Sequence, residues 1–472
     1  MKRGALWWLL PAVVAAGWGS ALAWDMLARV RQLACVENYG MAVYQQLIAS
    51  AALDGRYLQT IHTGYADHWM WSGHRSLWML VVPHLYRLWP GAEMMVCLQA
   101  AIVALGCFPA FGLGWRSIGG NHPVGGPLGG AMGLAIYALY PASFAVARAD
   151  YQELSFGIAF TLFALHQCRR ESVVGFVLAG TLLCSAREEW VAMLPLLGLS
   201  FPGSLRHRLR WTATGLGVAA AYAGLLWFLG RDFSGYDNQT VGQVAGMMEL
   251  GVKWSRDWSD ARNFYLGFFV PVQWLSLLAP LTLLPGLGAM FIHLTAPSAG
   301  GVDAVWTGHI HHMAPVVAFA VAGAIDGAGV VSRLLGRFPR LAGPGRALAR
   351  AAFVGLLATL GPVWMGATRV RPRIFPSFGV DNPPLAPEWA LVGRLPPGKT
   401  VATDRTGSLL VAGRRGAYTY DESMADKLKG KGLDAVDYVL VPTQDTGLAM
   451  KVQALGGTEV ARAGRYALFA MP

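Results

Sequence analysis

Long apolar runs separated by short polar stretches fill the first 368 residues, and the pattern changes after them. Ala5 to Trp24 is apolar over about the 20 residues that a hydrocarbon core demands, with Lys2 and Arg3 ahead of it. Its end, Ser20-Ala21-Leu22-Ala23, resembles a signal-peptidase site, so the run reads either as an anchoring helix or as a cleaved signal peptide; both export the residues C-terminal to it. Asp25 to Arg75 is mixed and polar and is predicted to form a long external loop with some helix of its own. Ser76 to Trp89, interrupted by Pro83, is too short for an ordinary span and suits a re-entrant or interfacial segment. Further apolar runs follow at Met94–Trp115, Val124–Ala147, Leu154–Gln167, Val173–Ser185, Trp190–Phe201 and Trp211–Leu229. Phe264–Leu294 is too long for one span, and Pro271, Pro280 and Pro285 divide it into a hairpin. Met313–Ile325 and Ala351–Ala367 bring the expected total to roughly eleven spans.

Beyond Arg369 the period shortens. Lys399-Thr400-Val401-Ala402-Thr403, Asp437-Tyr438-Val439-Leu440-Val441 and Arg465-Tyr466-Ala467-Leu468-Phe469 read as strands, and Gly447 to Leu455 as a helix ahead of Gly456-Gly457. The expected fold class is therefore a polytopic α-helical membrane protein with a small external C-terminal α/β domain. The membrane domain covers residues 1–368, with its first external loop at 25–75, and the C-terminal domain covers 369–472.

Composition agrees: hydrophobic residues make up 54% of the chain and charged residues 14%, too apolar for an ordinary soluble enzyme. A net charge of +11 would suggest nucleic acid in a soluble protein, but the basic residues lie between apolar runs. Arg206, Arg208 and Arg210 follow one run; Arg333, Arg337, Arg340, Arg346 and Arg350 fill a single linker. Such loops are cytoplasmic by the positive-inside rule, which puts the N-terminus in the cytoplasm and the C-terminal domain outside. Nucleic acid is thus not an expected partner; the lipid bilayer is. The five cysteines form no CxxC motif or disulfide framework.

Acids and histidines, not used in building that topology, gather on its outer side, with very little acid inside and Glu171 the main example. Asp150 and Glu153 stand i, i+3 where a helix begins, placed to share a face as base or metal ligands, or simply to complement the helix dipole. Arg187-Glu188-Glu189 interrupts otherwise continuous apolar sequence; Arg187 suits a phosphate, and either Glu suits a proton or a divalent cation such as magnesium or manganese. His309 and His312 have helical spacing for a metal or an anionic leaving group, and His74-Arg75 closes the first loop with phosphate-binding chemistry. Ionisable groups at a membrane boundary are costly unless paired or facing water, so their clustering marks a candidate site.

Asn38-Tyr39-Gly40 with Gln45 or Gln46 after it, His74 entering a Pro-containing apolar segment, Tyr140-Pro141, Asp150-Tyr151-Gln152-Glu153, Arg187-Glu188-Glu189 and His309-Ile310-His311-His312 form an ordered series. In order and spacing it resembles the bacterial membrane proteins grouped as domain of unknown function 2079, which in turn is similar to the GT-C glycosyltransferase superfamily. The resemblance implies transfer of a sugar from a polyprenyl-phosphate donor to a glycan, lipid or protein acceptor at the outer face of the bacterial cytoplasmic (inner) membrane. It implies Asp150 and Glu153 as the acids of one motif, Glu188 and Glu189 as those of a second with Arg187 as its cation, and His309 and His312 as the closing histidines. The family has Asp where this chain has Asn38, which cannot act as a base and leaves Glu37 as its substitute; Gln152 also departs from the family pattern. The alternative from another class is a transporter or lipid-handling scaffold that uses the same charges without catalysis.

Overall fold

The computed structural model describes residues 6–35, 38–58, 60–61, 76–120, 125–148, 150–230, 274–295, 313–338, 386–414, 416–420 and 432–472. They divide into two compact units: a helical one from residues 6–23 and the segments between 99 and 338, and a mixed one from the segments between 24 and 98 together with those from 386 onward.

Helix α1 (Leu9–Arg31) follows a 3-10 turn, and the two form a 26-residue apolar run. It continues past the expected end at Trp24 because its polar residues serve the helix: Arg29 Nε meets Asp25 Oδ2 at 3.0 Å, one turn apart. The next long run is α4 (Ala92–Ala104), α5 (Cys107–Gly114) and a π-helical turn at Trp115–Gly119. Where it breaks at Leu105-Gly106, the Tyr137 hydroxyl donates to the Val103 carbonyl at 2.6 Å. Tyr137 belongs to α6 (Gly125–Ala138), whose glycines let its backbone touch α5: a Cβ on Gly114 would lie 2.3 Å from the Gly129 carbonyl oxygen. The run bends by 54° into α7 (Pro141–Ala147), as Pro141 at the start of α7 holds Tyr140 extended.

Helices α8 (Phe156–Arg169) and α9 (Val173–Ala186) form an antiparallel hairpin, its turn capped by the Ser172 hydroxyl accepting from the Gly175 N–H. The unit continues with α10 (Glu189–Leu197), α11 (Leu205–Gly230), α12 (Pro280–Thr295) and α13 (Ala314–Gly336). Among the described residues four helical runs are long and apolar enough to cross a membrane, or five if the bent α6–α7 pair counts as one. The runs at Ala92–Gly119 and Ala314–Gly336 are 72% and 83% buried; Leu6–Arg31 and Leu205–Leu229, at 11% and 22%, leave their apolar surface for lipid to cover. Residues 264–273 and the last predicted span, 351–367, lie outside the described residues.

The mixed unit joins a helix of the first predicted loop, and one from the predicted re-entrant or interfacial segment after it, to the C-terminal sheet. Helix α2 (Asn38–Asp54) carries the buried Gln46, whose Oε1 accepts from the Thr60 and Ile61 N–H groups at 2.6 and 3.0 Å. Its Nε2 donates to Thr60 Oγ1 at 2.7 Å and to the Arg414 carbonyl at 3.1 Å, so one amide fastens loop and sheet domain to α2. In α3 (Trp78–Leu88), Pro83 lies within a continuous helix instead of breaking it. Proline removes the donor that the Met79 carbonyl would have received, and the Tyr57 hydroxyl supplies it at 3.0 Å.

The five-stranded sheet has the order β2-β1-β3-β5-β4. Strands β1 (Val401–Thr403), β2 (Ala417–Thr419) and β3 (Tyr438–Pro442) are parallel; β5 (Tyr466–Ala470) pairs antiparallel with β3 and with β4 (Thr458–Ala463). Val439, Val441, Ala467, Phe469 and Val452 of the helix Thr446–Ala454 form its core. The predicted strands and helix fall within two residues of the observed ones. Two strands were not predicted: β2 is three residues long, and the edge strand β4, Thr-Glu-Val-Ala-Arg-Ala, is mostly exposed and shows no clean apolar alternation.

Candidate functional site

The turn between α7 and α8 is built by one side chain. Gln99, fully buried in α4, donates its amide to the Ala147 carbonyl at 2.9 Å and to the Asp150 carbonyl at 3.4 Å, and its Oε1 accepts from the Gln152 N–H at 2.7 Å. These are backbone groups a helix would have used internally, and the chain stays open there. Asp150 therefore sits in a bend, Gln152 is extended, and Glu153 opens the 3-10 turn Glu153–Ser155 that leads into α8. This corrects the expectation that Asp150 and Glu153 share a helix face: the helix begins after Asp150. Both acids are buried, Asp150 at 8% exposure and Glu153 at 1%.

Arg187 occupies the extended link between α9 and α10 and is 1% exposed. Its Nη1 lies 3.4 Å from Gln152 Oε1, and its Nε makes a charge contact with Glu189 Oε1 at 3.0 Å. A long, always-charged side chain thus joins the two predicted motifs, and Gln152, expected to be a departure, is the residue that receives it. Trp190, also fully buried, clamps the same pair: its indole N–H donates to the Leu154 carbonyl at 3.3 Å, and its ring lies on Gly157, where a Cβ would come within 2.0 Å. Glu188 and Glu189 are half-buried at the start of α10, and the Glu189 side chain keeps 36% of its exposure. The arrangement ties the turn that carries the buried Asp150 and Glu153 to a buried guanidinium through Gln152, with the half-buried Glu189 against that guanidinium, where four helices end.

Of the remaining predicted residues, Asn38 opens α2 in the mixed unit, while Glu37, His74, His309 and His312 lie outside the described residues. Among the described residues no three His, Cys, Asp or Glu side chains converge as metal ligands. Sequence reasoning missed Gln99 and Trp190. Gln99 carried a signal, as the one strongly polar side chain in the apolar run Met94–Trp115.

No family model and no curated protein sequence matches the chain. The domain of unknown function 2079 therefore gains no support beyond the order of the motifs. Solved structures do match. The crystal structure of ArnT from Cupriavidus metallidurans bound to undecaprenyl phosphate aligns with a TM-score of 0.60 at 13% identity, covering 100% of this chain and 98% of that one. The same protein in the apo state aligns at 0.54 with 14% identity, covering 99% and 98%. At such identity the likeness is one of fold: the chain is a multi-pass membrane protein with an ArnT-like fold.

Proposed function

We propose that this protein is a membrane glycosyltransferase that transfers a sugar from a polyprenyl-phosphate donor, at the outer face of the cytoplasmic membrane, to a glycan, lipid or protein acceptor. The observation that carries the reading is the joining of the Asp150–Glu153 turn to Arg187–Glu189 through Gln152 and Gln99, in a fold whose solved neighbour, ArnT, binds undecaprenyl phosphate. A transfer of this kind needs a carboxylate to accept the acceptor hydroxyl's proton and positive charge to stabilise the departing phosphate. Glu153 and Asp150 are the proposed bases, with Glu188 and Glu189 as the second acidic pair. Arg187 is the proposed cation: in a site this buried an unpartnered carboxylate is costly, and a fixed guanidinium offsets that cost without reorganising during the reaction. Glu37 keeps the proposed role of substitute base beside Asn38, and Asn38, His74, His309 and His312 keep proposed substrate-binding roles.

The test is the full chain in lipid nanodiscs, assayed for thermal stabilisation and donor hydrolysis against polyprenyl-phosphate and polyprenyl-diphosphate sugars, with Glu153→Gln and Glu188→Gln alongside. One donor should stabilise the wild type and be consumed, with turnover falling about 100-fold or more in each variant and melting unchanged. If folded wild type neither binds nor consumes any donor, the transporter or scaffold reading replaces this one.

A further inference from the structure

A second charged constellation occupies the opposite end of the same helices. Helix α8 starts three residues after Glu153 and its 14 residues end at Arg169, about 21 Å away at helical rise. There Arg116 on the π-helical turn, Arg169 at the end of α8, Arg208 near the start of α11 and Arg333 near the end of α13 line one open cavity of about 350 Å³. Among the described residues lining it, Asp326 of α13 is the one acid. Its Oδ2 accepts from Arg169 Nη2 at 2.6 Å and from Thr282 Oγ1 at 2.8 Å, and its Oδ1 accepts from Ser117 Oγ at 2.9 Å. Four guanidiniums against one carboxylate leave three positive charges in surplus around the cavity.

Arginines that only mark the cytoplasmic end of spans project separately into water, and nothing draws them together. Here they arrive from four different elements, and the Arg116 turn is built to reach its place. π-helical turns are rare and concentrate at functional sites. This one packs against α13, where Gly329 leaves room for the Ser117 carbonyl and Ser332 Oγ donates to the Ile118 carbonyl at 3.1 Å. Converging like charges repel unless an anion lies among them, and guanidinium forks match phosphate oxygens in shape and charge. The rest of the wall is largely apolar, with Phe201, Leu278, Leu281 and Val330. Soluble phosphate would satisfy the arginines but leave that wall against water; a phosphate carrying acyl chains satisfies both. Basic pockets between transmembrane helices at a cytoplasmic end have this chemistry.

We propose that this cavity binds the phosphate headgroup of an anionic phospholipid, at a site separate from the candidate sugar-transfer centre. The test uses the full chain in detergent, titrated with phosphatidylglycerol, phosphatidylcholine or soluble glycerol 3-phosphate, with binding read by native mass spectrometry and thermal shift. Arg116 and Arg333 are both exposed, so Arg116→Gln with Arg333→Gln removes charge while leaving the Arg169–Asp326 pair intact. Phosphatidylglycerol should bind saturably, and the double variant should weaken it about tenfold or more, on the order of what two arginines contribute near anionic lipid. Should the double variant melt early, each single substitution carries the test and should weaken binding several-fold. Equal binding by wild type and variants, phosphatidylcholine binding as tightly, or glycerol 3-phosphate binding as tightly as the lipid would each overturn the proposal.

Discussion

Two buried arginines stand at opposite ends of the α8–α9 hairpin and have unlike partners. Arg169, with its side chain 8% exposed, meets Asp326, itself 14% exposed and saturated by hydroxyl donors from Ser117 and Thr282. Arg187, at 1%, meets Glu189, whose side chain keeps 36% of its exposure. A carboxylate enclosed by fixed donors is a brace; one that stays open toward solvent beside a buried cation can still meet a ligand. The contrast separates a structural ion pair from a candidate reactive one without reference to sequence motifs.

The strongest attack on that contrast is Asp326→Ala. It leaves Arg169 as an uncompensated buried charge and should cost about 3–5 kcal/mol, read as a large drop in melting temperature of the detergent-solubilised protein. A near-wild-type melt would mean that this pair braces nothing. Gly157→Ala comes next. Its Cβ would collide with the Trp190 indole and should cost about 1–3 kcal/mol while prising the Arg187 link from the Gln152 turn; unchanged stability and donor binding would show that the clamp is not needed. Glu189→Gln removes a substantially exposed charge but leaves an amide oxygen that can still accept from the buried Arg187, so it should cost less than Asp326→Ala, yet it should reduce donor turnover. A loss of stability as large as that of Asp326→Ala would erase the distinction between the two ends.

The smallest effect lies in the mixed unit, where a saturated carboxylate sits near the surface. Asp437 accepts from Lys399 Nζ at 2.7 Å and from the Thr400 N–H and hydroxyl at 2.8 Å each. The Lys399 contact, and then those of Thr400, hold its carboxyl down at about 2, against the ordinary 3.8. The folded state therefore binds this proton more weakly than the unfolded state does. The stabilisation is complete above the ordinary value and fades as pH falls from about 4 to about 2. Acid unfolding of Asp437→Asn should lack that segment of the wild-type profile; superimposable profiles would exclude the contribution.

The legible parts of the molecule were those governed by local rules. An apolar run of sufficient length is a span wherever it folds, so α1, α11 and α13 were visible in outline, and β-branched strands such as β3 announced themselves by composition. Pro83 looked like a break because proline's missing donor is a local fact, whereas its repair by Tyr57 comes from far upstream in the chain. The acids and Arg187 of the candidate site were readable as costly residues at membrane boundaries. Gln99, an uncharged amide, stood out only as a lone polar side chain in an apolar run, which does not show that it shapes the turn that presents them.

From its sequence alone this chain is determined to be a polytopic membrane protein with a small C-terminal α/β domain, because hydropathy, span length and charge bias act over about 20 contiguous residues. Only the tertiary structure decided that Gln152 is the partner of Arg187, that Asp326 is a brace while Glu189 is open, and that four dispersed arginines enclose one cavity. Pairing energies depend on which charges become neighbours and how much water is excluded from between them, and both follow from how the helices pack.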